Sequence, residues 1–363
     1  MPTFLEVKPM PKSYLDKIGF TWHKDGDGDY IVKDKLLKIT PKEAQIYYDA
    51  TNAIYEMYES GAQYVINNSL FEELDIPQSL INRITLSWEN ERTNHLYGRF
   101  DLSGGIDSKP IKLIEFNADT PTLLVETCLV QLMMLKYNDL TQVKQFNNIY
   151  ENVSAKFTSI SKSKKGEYSK FEFSCIKGIE EEKSTTLLLQ KMAKDTGLIT
   201  HFSYLEDISL DDDYDFLFKL YPWEDMGEFE GSPQLSLLNP AYTLLYQSKG
   251  MLAILYKLFP NSPYLLKTSF EPIKEKYVKK RMFGREGANI DIVDKNGETI
   301  NSTSGIYDEY KAVYQEYENF VKDKNDRYYQ AGVFFSDKAC GLGFRRGKEI
   351  LDDMSQFVGH IIV

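Results

Sequence analysis

The chain has 363 residues, 42% hydrophobic and 27% charged, with 43 Lys plus Arg against 54 Asp plus Glu for a net charge of −11. At about 150 residues per domain this length predicts two or three structural units, and the composition argues against disordered, collagen-like and membrane-spanning classes. The acidic balance argues against a nucleic-acid backbone or an anionic membrane surface as partner, while locally basic pockets remain open to anionic small molecules.

The opening segment, MPTFLEVKPMPK, lacks the apolar run of a signal peptide, and the most apolar stretch, Leu123 to Leu135, is broken by Glu126 and Gln131. Cys128, Cys175 and Cys340 are odd in number and far apart, which fits a reducing compartment, and a cytoplasmic protein is expected. His23, His95, His201 and His360 stand too far apart for a local zinc site.

In chain order, Pro41 to Asn67 predicts a long surface helix: Thr40 is a natural N-cap, a Pro occupies the first turn, apolar residues recur at helical spacing, and Gly61 lies near the end. The segment Asn94 to Thr122 then reads as two strands joined by a Gly/Asp/Ser turn. Because strand side chains alternate, Arg99 and Asp101 share one face of the first strand, and Glu115 and Asn117 share one face of the second. A symmetric hairpin would set Asp101 near Glu115 and Arg99 near Asn117, a register that the loop length leaves open. Opposed like charges call for a cation, and two carboxylates with a carboxamide are oxygen ligands of the kind Mg²⁺ takes alongside phosphate and water. A solvent-facing hairpin is the alternative, against which the apolar neighbours weigh.

Thr120 to Tyr137 is a further candidate helix. The Ser/Lys run Ser159 to Gly166 and the acidic runs Glu180 to Glu182 and Asp211 to Asp213 read as loops. The run at Glu180 leads into a helix, EEEKSTTLLLQKMAKD, that ends at Gly197. FEFSCIKGI, LITHFSYL and YDFLFKLYPW are strand-like, so the middle of the chain predicts an α/β unit. In the last third, Lys249 opens an apolar helix and by itself reads as a surface residue. EKYVKKRMFGREGANIDI predicts a basic strand, a glycine-bearing loop (Phe283 to Asn289) whose backbone can approach phosphates, and a second strand. A strand ending at Phe344 is expected to deliver Arg345 and Arg346 to anionic oxygens.

Six segments in order, YGRFD (Tyr97 to Asp101), EFNADTPT (Glu115 to Thr122), QSKGMLAILYKLFP (Gln247 to Pro260), KKRMFGREGANI (Lys279 to Ile290), VYQEY (Val313 to Tyr317) and GLGFR (Gly341 to Arg345), resemble the glutathionylspermidine synthase family in its ATP-grasp synthetase domain. The resemblance implies an α/β (α+β) ATP-grasp fold with an additional pre-ATP-grasp-like α/β lobe. It suggests an N-terminal segment over residues 1–80, a metal-binding hairpin over 81–125, a substrate lobe over 126–239 and a nucleotide-binding portion over 240–363. No amidase half is expected.

The resemblance further implies that Asp101, Glu115 and Asn117 bind Mg²⁺. Arg99, Phe100, Asp101, Lys249, Lys280 and Gln315, Glu316, Tyr317 and Glu318 would bind ATP. Arg99 would also touch the reacting carboxyl, and Arg345 would stabilise the transition state. Thr120, Thr122 and Glu182 would contact a thiol peptide. Lys280-Arg281 departs from the family's Lys-Pro, and Arg346 stands where Glu or Gly is usual. The implied activity is ATP-dependent carbon–nitrogen ligation of a glutathione-like carboxylate to a spermidine-like amine. Its partners are small molecules, with no nucleic acid or membrane, and the oligomeric state is left open. A ligase for another acid and amine pair, a silent ATP-binding protein and a phosphotransferase on the same fold remain the alternatives.

Overall fold

The structure is a computed structural model, and it describes residues 1–22, 24–25, 28–162, 169–209, 213–227 and 235–363. His23, Asp211, Asp212 and Ser163 to Gly166 of the Ser/Lys run lie outside the described residues.

A six-stranded antiparallel sheet forms the centre. The hairpin Gly98–Ser103 and Lys112–Asn117 pairs with Tyr328–Ser336, which pairs with Lys338–Gly347 and then Gln356–Val358, while Val321–Lys322 joins at the side. Strands 98–103 and 328–336 are thus neighbours across more than two hundred residues of chain. Beside this sheet lies a second, antiparallel one, ordered Thr268–Ser269, Ala312–Glu316, Tyr277–Arg281, Asp291–Val293 and Thr299–Ser302. A third sheet is wholly parallel, ordered Ser236–Leu238, Phe216–Leu220, Lys170–Cys175 and Ile199–Tyr204, with the helix Glu180–Asp195 crossing between two of its strands. That is the α/β unit expected from the alternation of apolar strands and an amphipathic helix.

The helix Pro41–Asn67 forms with the bounds its capping signals predict. Thr40 Oγ1 accepts from Glu43 N at 3.1 Å and Glu43 Oε2 accepts from Thr40 N at 2.7 Å, a closed capping box. Its inner face buries Tyr47, Ile54, Tyr58 and Val65, and Tyr58 packs edge-on against Phe116 at 5.0 Å between centroids. Gly61 does not end this helix. It lies within it, where a Cβ would stand 2.8 Å from Met251 Sδ, so the glycine serves the close approach of helix Gly250–Leu258.

The segment Thr120 to Tyr137 begins its helix later than the apolar pattern suggests. Pro121 disfavours helical geometry at Thr120, and Leu123 sits at φ 67. Helical turns start at Leu124, pass through a π turn at Glu126–Val130 and end as the α-helix Gln131–Tyr137. Glu180 to Glu182 form the first helical turn rather than a loop, where three carboxylates suit the positive end of the helix dipole.

Two buried amides lock the hairpin to the rest of the molecule. Asn239 donates to the carbonyls of Tyr97, Ala118 and Asp119 at 2.8–3.0 Å and accepts from Leu96 N at 2.8 Å. Gln247 Oε1 accepts from the amides of Ala118 and Asp119 at 2.9 and 3.2 Å. The entry to the hairpin and its exit are therefore fixed from the same side. No helix among the described residues is long and apolar enough to cross a membrane.

Candidate active site

The hairpin adopts the symmetric register: Arg99 pairs with Asn117 and Asp101 with Glu115. Phe100 and Phe116, one residue out of phase, stack at 3.7 Å between centroids on the opposite face, inside the core. One face of the hairpin thus holds up the sheet, and the other carries charge.

That charged face is the floor of a cavity whose opposite wall is the sheet of Tyr277–Arg281 and Ala312–Glu316. Arg99, Asp101, Glu115, Asn117, Thr120, Thr122, Lys249, Lys280, Gln315, Glu316, Tyr317, Glu318 and Arg345 all line it. Phe100 does not: strand alternation turns its ring away, and the nucleotide contact expected of it is not a side-chain one. Glu182 is not a lining residue either, although it lies close enough to feel the charge of Arg285.

The charged groups are paired before any ligand arrives. Arg99 grips Asp101 with two hydrogen bonds, Nε to Oδ1 at 2.7 Å and Nη2 to Oδ2 at 3.0 Å, and donates through Nη1 to the Thr122 carbonyl at 2.8 Å. Gly332 makes room for this, since a Cβ there would come within 3.1 Å of Arg99 Cδ. Burial opposes the charge on Arg99, but the Asp101 carboxylate outweighs it and raises the guanidinium's pKa.

Lys249 is no surface residue. Its ammonium is 7% exposed, donates to the Gly284 carbonyl at 2.6 Å and sits 3.1 Å from Glu115 Oε2. Lys280 donates to Gln315 Oε1 at 2.6 Å. Burial disfavours the Glu115 carboxylate, yet Lys249 and Lys280 together hold it at about 2. Burial and the neighbouring Lys249 bring Lys280 down to about 8, with Glu115 opposing.

The strand expected to stop at Phe344 continues to Gly347, so Arg345 and Arg346 are strand residues that point to opposite sides. Arg345 enters the cavity, where Nη2 donates to the Asp352 carbonyl while Nε is buried without a partner among the described residues. Arg346 turns away to bond Asp323 at 2.9 Å and Gln356 at 3.0 Å. The strand Ala312–Glu316 also ends before Tyr317, whose hydroxyl donates to Glu349 at 2.5 Å. Ile114, Leu266, Val278, Ile290, Ile292 and Phe320 add apolar side chains to the lining.

The donor set tolerates a hard divalent cation. Asp101 and Glu115 offer carboxylate oxygens, and the Asn117 amide is oriented by donating from Nδ2 to Asp101 Oδ2 at 3.3 Å, which leaves its carbonyl oxygen free to coordinate. No cluster of three His, Cys, Asp or Glu suited to a metal forms among the described residues. Asp101, Glu115 and Asn117 are an oxygen donor set of the kind Mg²⁺ takes.

Several site residues escape a reading by spacing. Arg285, in the glycine-bearing loop, bonds Thr120 Oγ1 at 2.9 Å and the Glu224 carboxylate. Glu181 hydrogen-bonds Thr122 and faces Arg345, while burial raises its pKa. Burial likewise raises Glu182 to about 7 and Glu126 to about 8, and each has one oxygen without a partner among the described residues. The cysteines are all buried and free, and burial pushes their thiols up, as inert structural cysteines require.

The sequence profile of the glutathionylspermidine synthase preATP-grasp family matches residues 3–363. The chain belongs to that family. A Haemophilus influenzae protein provisionally named an acid–amine ligase is 29% identical over 99% of both chains. The bifunctional glutathionylspermidine synthetase/amidase of Escherichia coli is 26% identical over 86% of this chain, and the trypanothione synthetase of Crithidia fasciculata is 23% identical over 81%. The matches cover 55% and 51% of those two longer proteins, about half of each. A glutathione synthetase-like effector from Globodera pallida superposes with a TM-score of 0.60 over 90% of this chain and 89% of its own, at 12% identity. The fold of this family member is therefore a mixed α/β, glutathione synthetase-like one of the ATP-grasp type.

Proposed function

We propose that the chain is an ATP-dependent ligase that joins the carboxylate of a glutathione-like peptide to a spermidine-like amine through an acyl phosphate. The observation that carries this reading is the convergence of Arg99, Lys249, Lys280 and Arg345 with Asp101, Glu115 and Asn117 on one cavity. Family membership points the same way, since the named relatives are synthetases or acid–amine ligases.

The chemistry asks little of the protein beyond positioning and charge neutralisation. A carboxylate oxygen of the acid attacks the γ-phosphorus of ATP and ADP leaves. The amine nitrogen then attacks the acyl carbon, phosphate leaves, and the amine gives up a proton. Lys249 and Lys280 pair with phosphate oxygens. Arg345, whose buried Nε has no partner among the described residues, is free to donate to charge that develops between the acid and the transferring phosphoryl group. Arg99 orients Asp101. Mg²⁺ held by Asp101, Glu115 and Asn117 would neutralise phosphate charge during transfer. Thr120 and Thr122 flank the acid, and Glu181 and Glu182, whose carboxyls burial pushes up, would offer negative charge to a cationic amine once ionised.

The test is ADP release with Mg²⁺ and ATP, offering glutathione with and without spermidine and then other acids and amines, with mass spectrometry of the products. A product mass equal to acid plus amine minus water is expected. ATP binding with no turnover over the panel would overturn the reading.

A further inference from the structure

The loop Phe283–Asn289 enters the cavity from the second sheet, and Lys249 holds its base through the Gly284 carbonyl at 2.6 Å. Arg285 ties the far side of this loop to the α/β lobe. Its Nη1 donates to Thr120 Oγ1 at 2.9 Å, and its Nη2 donates to the Glu224 carboxylate. Sequence separations of 165 and 61 residues mean that neither contact follows from the local course of the chain.

Glu224 stands on a rigid frame. It belongs to the short turn Trp223–Asp225 that follows strand Phe216–Leu220. The Trp223 amide donates to Asp119 Oδ2 at 2.9 Å, and its indole donates to the Asn239 carbonyl at 3.0 Å. Lys219, fully buried, donates to Asp119 at 2.9 Å and to the Tyr221 carbonyl at 2.7 Å. Asp119 directly precedes Thr120, so one buried ion pair fixes both partners of Arg285. The Glu224 carboxylate is itself only 3% exposed, and its Oε2 has no partner among the described residues. A carboxylate buried with a single cation contact is costly unless that contact is needed. Asp225, the next residue, is exposed and carries no comparable bond to the loop among the described residues.

We infer that Glu224 is a positioning residue that acts through Arg285, holding the loop 283–289 and the Thr120 hydroxyl as one unit across the cavity. The consequence rests on the ligase reading: a loop that covers nucleotide and a threonine that flanks the acid move together, so binding of the two substrates is cooperative.

Hydrogen exchange of the amides of residues 283–289 tests this in the full chain. Glu224→Gln is expected to speed their exchange by about tenfold or more, with the core strands unchanged, and Asp225→Asn to leave them as in the parent. In an Arg285→Ala background Glu224→Gln should add nothing, because residues that act as a unit are not additive. Unchanged exchange in Glu224→Gln, an acceleration spread over the whole molecule, or a full extra effect in the Arg285→Ala background would overturn the inference. Steady-state ADP release with glutathione as probe supplies the second readout: Glu224→Gln should raise the KM for the acid about fivefold or more while kcat stays within about threefold. Should the parent protein show no turnover with glutathione, the ligase reading suffers, and the exchange experiment still decides the role of Glu224.

Discussion

The hairpin floor of the cavity and the α/β side behind it treat buried charge in opposite ways. On the hairpin floor two cations have carboxylate partners: Arg99 with Asp101, and Lys249 with Glu115. On the α/β side, carboxylate oxygens of Glu126, Glu182 and Glu224 are buried without partners among the described residues, and burial lifts the pKa of Glu126 and Glu182. A network paired in advance loses little to reorganisation when phosphates arrive, which is the condition for electrostatic catalysis. A buried carboxylate oxygen without a partner, by contrast, is costly, although Glu224 already has a cation on its other oxygen in Arg285.

Breaking the paired side gives the largest expected effects. Asp101→Asn removes a carboxylate proposed to hold Mg²⁺ and leaves the Arg99 guanidinium buried without its countercharge. ADP release should fall by about 10³-fold or more, and urea unfolding should show a loss of roughly 3–5 kcal/mol. Undiminished ADP release would sink the metal assignment. Arg345→Ala should lower kcat by about 10²- to 10³-fold while ATP affinity, measured by calorimetry, stays nearly constant. Equal losses in both would mean that Arg345 binds the ground state.

A smaller effect comes from the low pKa of Lys280, brought to about 8 by burial and by Lys249. Only the ammonium form pairs with phosphate, so in the free enzyme kcat/KM for ATP should decline as pH rises through 8. Lys280→Arg should move that limb out of range, because a guanidinium keeps its proton. A parent profile that is flat to pH 9 would contradict the assignment.

The smallest effect sharpens the other side. Burial places the Glu182 carboxyl at about 7, so its negative charge appears as pH rises through 7. The KM for spermidine should therefore fall several-fold between pH 6 and 8, and Glu182→Gln should flatten the dependence. An identical pH dependence in the variant would remove Glu182 from the amine side.

The same contrast governs what the sequence made legible. The shared faces of Arg99 with Asp101 and of Glu115 with Asn117 follow from strand alternation, a local property, whereas the pairing of Asp101 with Glu115 depends on a register that the long connection 104–111 leaves open. Alternation also turns Phe100 into the core, which the resemblance alone did not reveal. Lys249 looked like a surface residue because nothing within its own helix shows that Glu115 and Gly284, from distant segments, close around it. The contacts of Arg285, Glu181 and Glu224 were hidden for the same reason. Their partners lie in other sheets, and only tertiary packing brings them together.

The central claim is that the paired wall directs phosphoryl transfer onto a carboxylate. The direct measurement uses glutathione labelled with ¹⁸O in its carboxyl groups, together with spermidine, ATP and Mg²⁺, and follows the label by mass spectrometry. An acyl phosphate requires one ¹⁸O to appear in the released phosphate for each amide formed. Amide formation with all of the remaining label kept in peptide and none in phosphate would contradict the account.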